Sequence, residues 1–225
     1  MTTPDRAGKP DLVGLYNLLE HQRSMAESDN YDVVAFEFGL AQVLQQLDVI
    51  DRTAPPEMRR YAHLTIGTTY QDRRVGGVHA NMERARHHLG VALEVAESAG
   101  LSTTAILHNL AVVTKNGGPG SQADNLEAAI GYLERALQQT TLAESPDAWA
   151  TTASQLGNTY SERVIGDQAD NAERALDLHR RALALRPRHD QPVRWAISMH
   201  NIGATLLPRP SGSRIANLRE ARRLL

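Results

Sequence analysis

The sequence predicts an all-α protein built as an α-solenoid of about five antiparallel helix hairpins. Three observations predict it. A small residue preceded by Ile or Leu recurs at Gly67, Ala111, Gly157 and Gly203, at steps of 44, 46 and 46 residues. An Asn follows each of them 14 residues later, at Asn81, Asn125, Asn171 and Asn217. Self-similarity at a fixed step of this size marks a stacked repeat array. The composition agrees: only 4% of residues are aromatic, while Ala and Leu are abundant, as suits closely packed helices.

The bulk numbers narrow the class further. Of 225 residues, 41% are hydrophobic and 22% charged, which describes a folded chain and not a disordered one. A net charge of −2 gives no overall field for nucleic acid or anionic lipid, so neither is expected as a partner. With no cysteine there is no disulfide, thiolate metal site or Cys nucleophile. The expectation is a cytoplasmic protein with no signal-peptide core and no apolar run approaching the ~20 residues that span a bilayer.

In chain order, residues 1–10 read as a polar lead and 11–55 as a degenerate first hairpin. Asp11 can cap a helix carrying Leu12, Leu15, Leu18 and Leu19, which fades near Ser24 to Asp29. A second helix from about Asn30 is expected to bury Val34, Phe38, Ala41 and Leu44 or Gln45. Pro55 and Pro56 break the chain. The array then runs over 56–225, as repeats of about 56–100, 101–145, 146–190 and 191–225, the last apparently truncated. First-helix stripes are His63, Ile66, Gly67 and Tyr70; Leu107, Leu110, Ala111 and Thr114; Ala153, Leu156, Gly157 and Tyr160; and Met199, Ile202, Gly203 and Leu206. Ala85, Leu89, Ala92 and Leu93 answer the first of these, Ala129, Leu133, Ala136 and Leu137 the second, and Ala175, His179, Ala182 and Leu183 the third. Ala221 and Leu225 begin the answer to the fourth. One hairpin cannot bury such a stripe alone, so neighbours stack and share a core. Gly inside a helix costs about 1 kcal/mol relative to Ala, which packing at a close crossing must repay. Asp124 with Glu127 and Asp170 with Glu173 have capping-box spacing, with Asn125 and Asn171 as alternative caps.

Leu156-Gly157-x-x-Tyr160, in register with Ala175, Ala182 and Pro187, resembles the tetratricopeptide repeat. Ala153 and His179 stand where that family usually has bulky or aromatic residues, and the period of 44 to 46 exceeds its 34. The long-loop form looks like extended bacterial arrays, many of which sit upstream of a caspase-like CHAT protease domain. The resemblance implies a right-handed superhelix whose concave groove holds a peptide or protein segment, as a sensing or recruitment module of a larger bacterial protein. A downstream effector domain on the same chain would fit that role. By register, the groove uses Tyr61, Leu64, Thr68, Gln71, His108, Val112, Lys115, Asn116, Ser154, Asn158, Ser161, Glu162 and His200.

Nothing else in the sequence assembles a chemical site. His87 and His88 are adjacent and point apart, which suits no shared metal, and His63 reads as a core residue. The glycine-rich Gly117–Ser121 stretch follows no strand and precedes no Gly-Lys-Ser/Thr, so it reads as a loop. No nucleophile, base and oxyanion site come together. The expectation is therefore a binding protein and not an enzyme, with no cofactor or metal. The alternative is a small-molecule or enzymatic helical-repeat protein with a closed pocket in the same groove.

Overall fold

The structure is a computed structural model that describes residues 12–26 and 32–224. Among these there are ten helices and no strand: α1 (Leu12–Ala26), α2 (Val33–Thr53), α3 (Pro56–Asp72), α4 (Val78–Ser98), α5 (Thr104–Gly117), α6 (Gln122–Gln139), α7 (Pro146–Glu162), α8 (Gln168–Ala184), α9 (Pro192–Leu206) and α10 (Arg214–Leu224). The architecture is an all-α helical repeat. It divides into two compact units, Met1–Gly118 and Pro119–Leu225. In the first, α3 packs against α4 as a hairpin, α1 and α2 lie on α3, and α5 packs on α4 and touches α3. In the second, α7 with α8 and α9 with α10 are the hairpins, α6 packs on α7, and α7 meets α9.

Local chemistry starts each element. Pro56, Pro146 and Pro192 occupy the first turns of α3, α7 and α9, where the missing N–H has no partner to lose. Asp32 caps α2, accepting from the Val34 and Ala35 amides at 2.9 and 3.1 Å. The expected caps of α6 and α8 lie one turn too late. The capping box of α6 is Ser121 with Asp124, and Asp167 caps α8, accepting from Ala169 and Asp170. Asn125 and Asn171 are instead buried four residues inside their caps.

The interior follows the expected stripes. Ile66, Leu110, Leu156 and Ile202 are buried on the first helices, and Ala85, Ala129, Ala175 and Ala221 answer them. The glycines are close crossings: a Cβ on Gly67 would come within 2.7 Å of Leu89 Cγ, and one on Gly157 within 2.7 Å of the His179 ring. Two expectations about α2 fail. Val34 and Phe38 are exposed, at 78% and 65%, while Phe36, Gly39, Leu40, Val43 and Ile50 are buried. Both lines have helical spacing, and only the positions of α1 and α3 choose between them. By length and composition, α2 is also apolar enough to cross a membrane, contrary to the expectation that no segment approaches this. Residues 1–11, 27–31 and Leu225 lie outside the described residues, and with them the polar lead, the Asp11 cap and the Asn30 start.

Candidate binding faces

A repeated clasp holds the first helices in place. Arg73 follows α3, and its guanidinium grips Glu37 of α2 with two parallel bonds, Nε to Oε1 at 2.7 Å and Nη2 to Oε2. Arg163 grips Glu127 of α6 in the same way, at 2.6 and 2.7 Å, while Arg209 grips Glu173 of α8 with Nε and Nη2 both donating to Oε1. The third guanidine nitrogen donates to the recurring Asn, at 3.1 Å for Asn81, 3.2 Å for Asn171 and 3.3 Å for Asn217. Each Asn amide returns a bond to the loop carbonyl two residues after its Arg, at Val75, Ile165 and Ser211. Gly76, Gly166 and Gly212 follow with φ of 84°, 83° and 79°, a left-handed turn that glycine makes without strain. The planar fork of Arg suits a bidentate carboxylate. Accordingly, the Arg163 hydrogen bond lowers the Glu127 pKa, and Ser211 followed by Arg209 lowers that of Glu173.

The Asn period therefore records clasps and not caps. The sequence carries a fuller signal, an Arg eight residues before the Asn and a Gly five before it, which the capping interpretation passed over. Eight residues before Asn125 stands Gly117, and that loop is built differently. A Cβ on Gly117 would lie 2.8 Å from Met82 Cβ, so no side chain fits there. Arg86 donates to the Gly117 carbonyl at 3.3 Å, and Asn125 exchanges two 3.2 Å bonds with the Gly120 backbone.

Within the first unit, the anticipated groove residues fall on α3 (Tyr61, Leu64, Thr68, Gln71) and α5 (His108, Val112, Lys115, Asn116). Tyr61 stacks on Tyr16 at 5.4 Å and donates to Glu20, which together with burial pushes its pKa up to about 12. Thr68 donates to the α3 carbonyls of Leu64 and Thr65. Asn116 is exposed, and Leu64, Gln71, His108, Val112 and Lys115 are half-buried. Burial lowers the His108 pKa, which keeps that ring neutral.

Within the second unit, α7 carries Ser154, Asn158, Ser161 and Glu162, and α9 carries His200. Ser161, Glu162 and His200 are exposed and Asn158 half-buried. Ser161 donates back to the Asn158 carbonyl. Ser154 is buried, and its hydroxyl accepts from Arg186 at 3.1 Å. The Arg186 guanidinium, only 4% exposed, also donates to Ser198 at 3.2 Å and Thr151 at 3.0 Å, joining α7 to α9 through hydroxyls.

One groove of this unit escaped the sequence reading. It opens between α6 and α8 above α7, with a volume of about 830 Å³. Trp149, Leu156, Tyr160 and Leu178 floor it, and Glu134, Asp177, Arg174 and Arg181 rim it. Arg181 lies 4.6 Å over the Trp149 ring and Arg174 5.6 Å over Tyr160, while Tyr160 donates to Glu134 at 2.7 Å. None of the thirteen anticipated residues lines it. Trp149 has the size of an ordinary packing residue, so nothing in the sequence marks it as a groove floor.

Comparison with solved structures finds a similar fold at low sequence identity in BtubC. BtubC (BKLC) from P. vanneervenii superposes with a TM-score of 0.63 at 19% identity, over 95% of this chain and 86% of that one. The quorum sensor NprR from B. thuringiensis, in its apo form, gives 0.49 at 13% identity over 95% and 63% of the two chains. NprR in complex with its cognate peptide NprX gives 0.38 at 15% identity over 95% and 66%. No family model matches the chain. A comparison with curated proteins also finds no match.

Proposed function

We propose that this protein is a helical-repeat scaffold that binds an extended peptide or protein segment along the first-helix faces within each unit. The carrying observation is the state of the polar groups on those faces. Their hydroxyls at Thr68 and Ser161 are satisfied by their own helices, whereas the Asn116 amide and the His200 imidazole are exposed and the Asn158 amide is half-buried. Amides both donate and accept, so they match the main chain of an extended segment, with Leu64 and Val112 as modest apolar anchors. The α6–α8 groove, which these faces do not include, is an open trough and does not enclose a small molecule.

The finer reading is a tetratricopeptide array that recruits a partner for a larger bacterial protein. Leu156, Gly157 and Tyr160 in register with Ala175 and Ala182, together with the long loops, support it. The coding sequence downstream of residue 225 tests it, since a protease-like domain there supports the recruiting role and a stop codon removes it.

Selection from a displayed random-peptide library tests the scaffold reading itself. A selected peptide should lose at least tenfold in affinity, roughly 1.4 kcal/mol, when His108, Asn158 and His200 are all replaced by Ala, with the helical circular dichroism unchanged. Replacing Asp177 and Arg181 should leave its affinity alone. A library that yields no binder sinks the scaffold reading, and a binder indifferent to the triple change sinks the placement on these faces.

A further inference from the structure

The α3–α4 hairpin contains a buried cluster of titratable groups that peptide binding does not use. His63 of α3 and His88 of α4 are 3% and 8% exposed, and their Nδ1 atoms lie 3.0 Å apart. On its other side, His63 Nε2 lies 3.0 Å from Asp51 Oδ1 of α2. Two ring nitrogens at hydrogen-bond distance need one donor and one acceptor. With Asp51 accepting from His63 Nε2–H, a neutral His63 turns its Nδ1 lone pair to His88, which must donate from Nδ1.

We propose that Asp51, His63 and His88 form an acid-released lock on the α3–α4 hairpin, closed by one proton between the rings and opened when both rings become cationic. One added proton leaves the bond intact, because a His63 cation paired with Asp51 can donate from Nδ1 to a His88 protonated on Nε2. With both rings cationic, two N–H groups face each other at 3.0 Å inside a buried crossing. Asp51 compensates a charge on His63, but the surroundings of His88 do not compensate a second one. His87 stands edge-on to His88 at 5.2 Å, and Tyr70 of α3 stacks on it at 6.0 Å. Arg73 and Arg84 lie 5.8 and 5.5 Å from the Tyr70 ring, adding positive charge nearby. Asp51, whose side chain is 43% exposed, is the carboxylate that acts on the pair. Burial first, then His63 and His87, push the His88 pKa down to about 4. A neutral ring in the fold and an ordinary one in the unfolded chain mean that stability is full above about pH 6.5 and falls as the pH drops towards 4.

The second unit lacks this pair, since the equivalent positions there are Thr141, Ala153 and Leu178, and the control is a variant of the first unit without the two rings. Hydrogen exchange in the full chain tests the lock at residue level. Between pH 7 and pH 5, after correction for intrinsic exchange, protection of the Ile66 and Leu89 amides should fall roughly twenty-fold in the natural protein. In His63→Ala/His88→Leu it should change less than threefold, and equal falls in the two proteins overturn the lock. Nitrogen-15 spectra of the natural protein's imidazoles test it even if that variant does not fold. A His88 ring that stays neutral down to pH 5 supports the proposal, and an ordinary midpoint near 6.5 overturns it.

Discussion

The hairpins α3–α4 and α7–α8 share a clasp and a glycine crossing but fill the crossing differently. In the first, Gly67 meets Leu89, and two histidines beside it satisfy each other and Asp51. In the second, Gly157 meets the His179 ring, and Ala153 and Leu178 stand where the histidine pair would be. His179 is fully buried, and neither of its ring nitrogens has a hydrogen-bond partner among the described residues. The crossing is therefore specified by the absence of a side chain on α3 or α7 and tolerates either Leu or His opposite. Polarity there is stable only as a connected network; a lone ring carries an unrecovered desolvation cost.

The comparison can be broken at its shared element. Gly67→Val and Gly157→Val should each destabilise their own hairpin by about 3 kcal/mol, since the added atoms start within 3 Å of Leu89 or His179. Chemical denaturation monitored by circular dichroism measures this, and a neutral effect at either site would show that the crossing is not tight.

His179→Leu, which copies Leu89 into the second hairpin, sharpens the contrast. It should stabilise by about 2 kcal/mol at pH 7 by removing two unpaired nitrogens. Burial holds the His179 pKa down at about 4, so natural stability is lost as the pH falls from about 6.5 towards 4. The gain from Leu should therefore widen in that window, and melting curves at pH 7 and pH 5 would reveal it. An equal gain at both values would mean that the buried ring is not the cause.

The smallest expected effect concerns the clasps. Arg163→Gln should cost about 1 kcal/mol, because the ion pair is partly exposed and its loop bonds persist only in part. Gly117→Arg tests the opposite direction. It restores the missing arginine yet should destabilise, as Met82 fills the space its Cβ needs. Guanidinium titrations of both variants decide it, and a stabilised Gly117→Arg protein would mean that the fourth loop accepts a clasp after all.

Much of the candidate site was legible only as address. The register of Leu156, Gly157 and Tyr160 placed Asn158 and Ser161 on one helix face, because 3.6-residue periodicity is a local property. It did not reveal that Ser154 turns inward to Arg186, whose hydroxyl partners come from two other helices. Nor did it show the groove beneath Arg174 and Arg181, which exists only because α6 and α8 stand apart above α7.

By itself the sequence determined the repeat, the helices, their close glycine crossings and most of the buried stripes. These follow from spacing along single helices and from proline and glycine at fixed offsets. Tertiary structure decided which of two apolar lines α2 buries, that the recurring Asn serves Arg clasps, and that His63 meets His88. Those choices depend on partners 8, 25 or 36 residues away. A helix pattern states which side chains share a face but not which neighbour that face will meet.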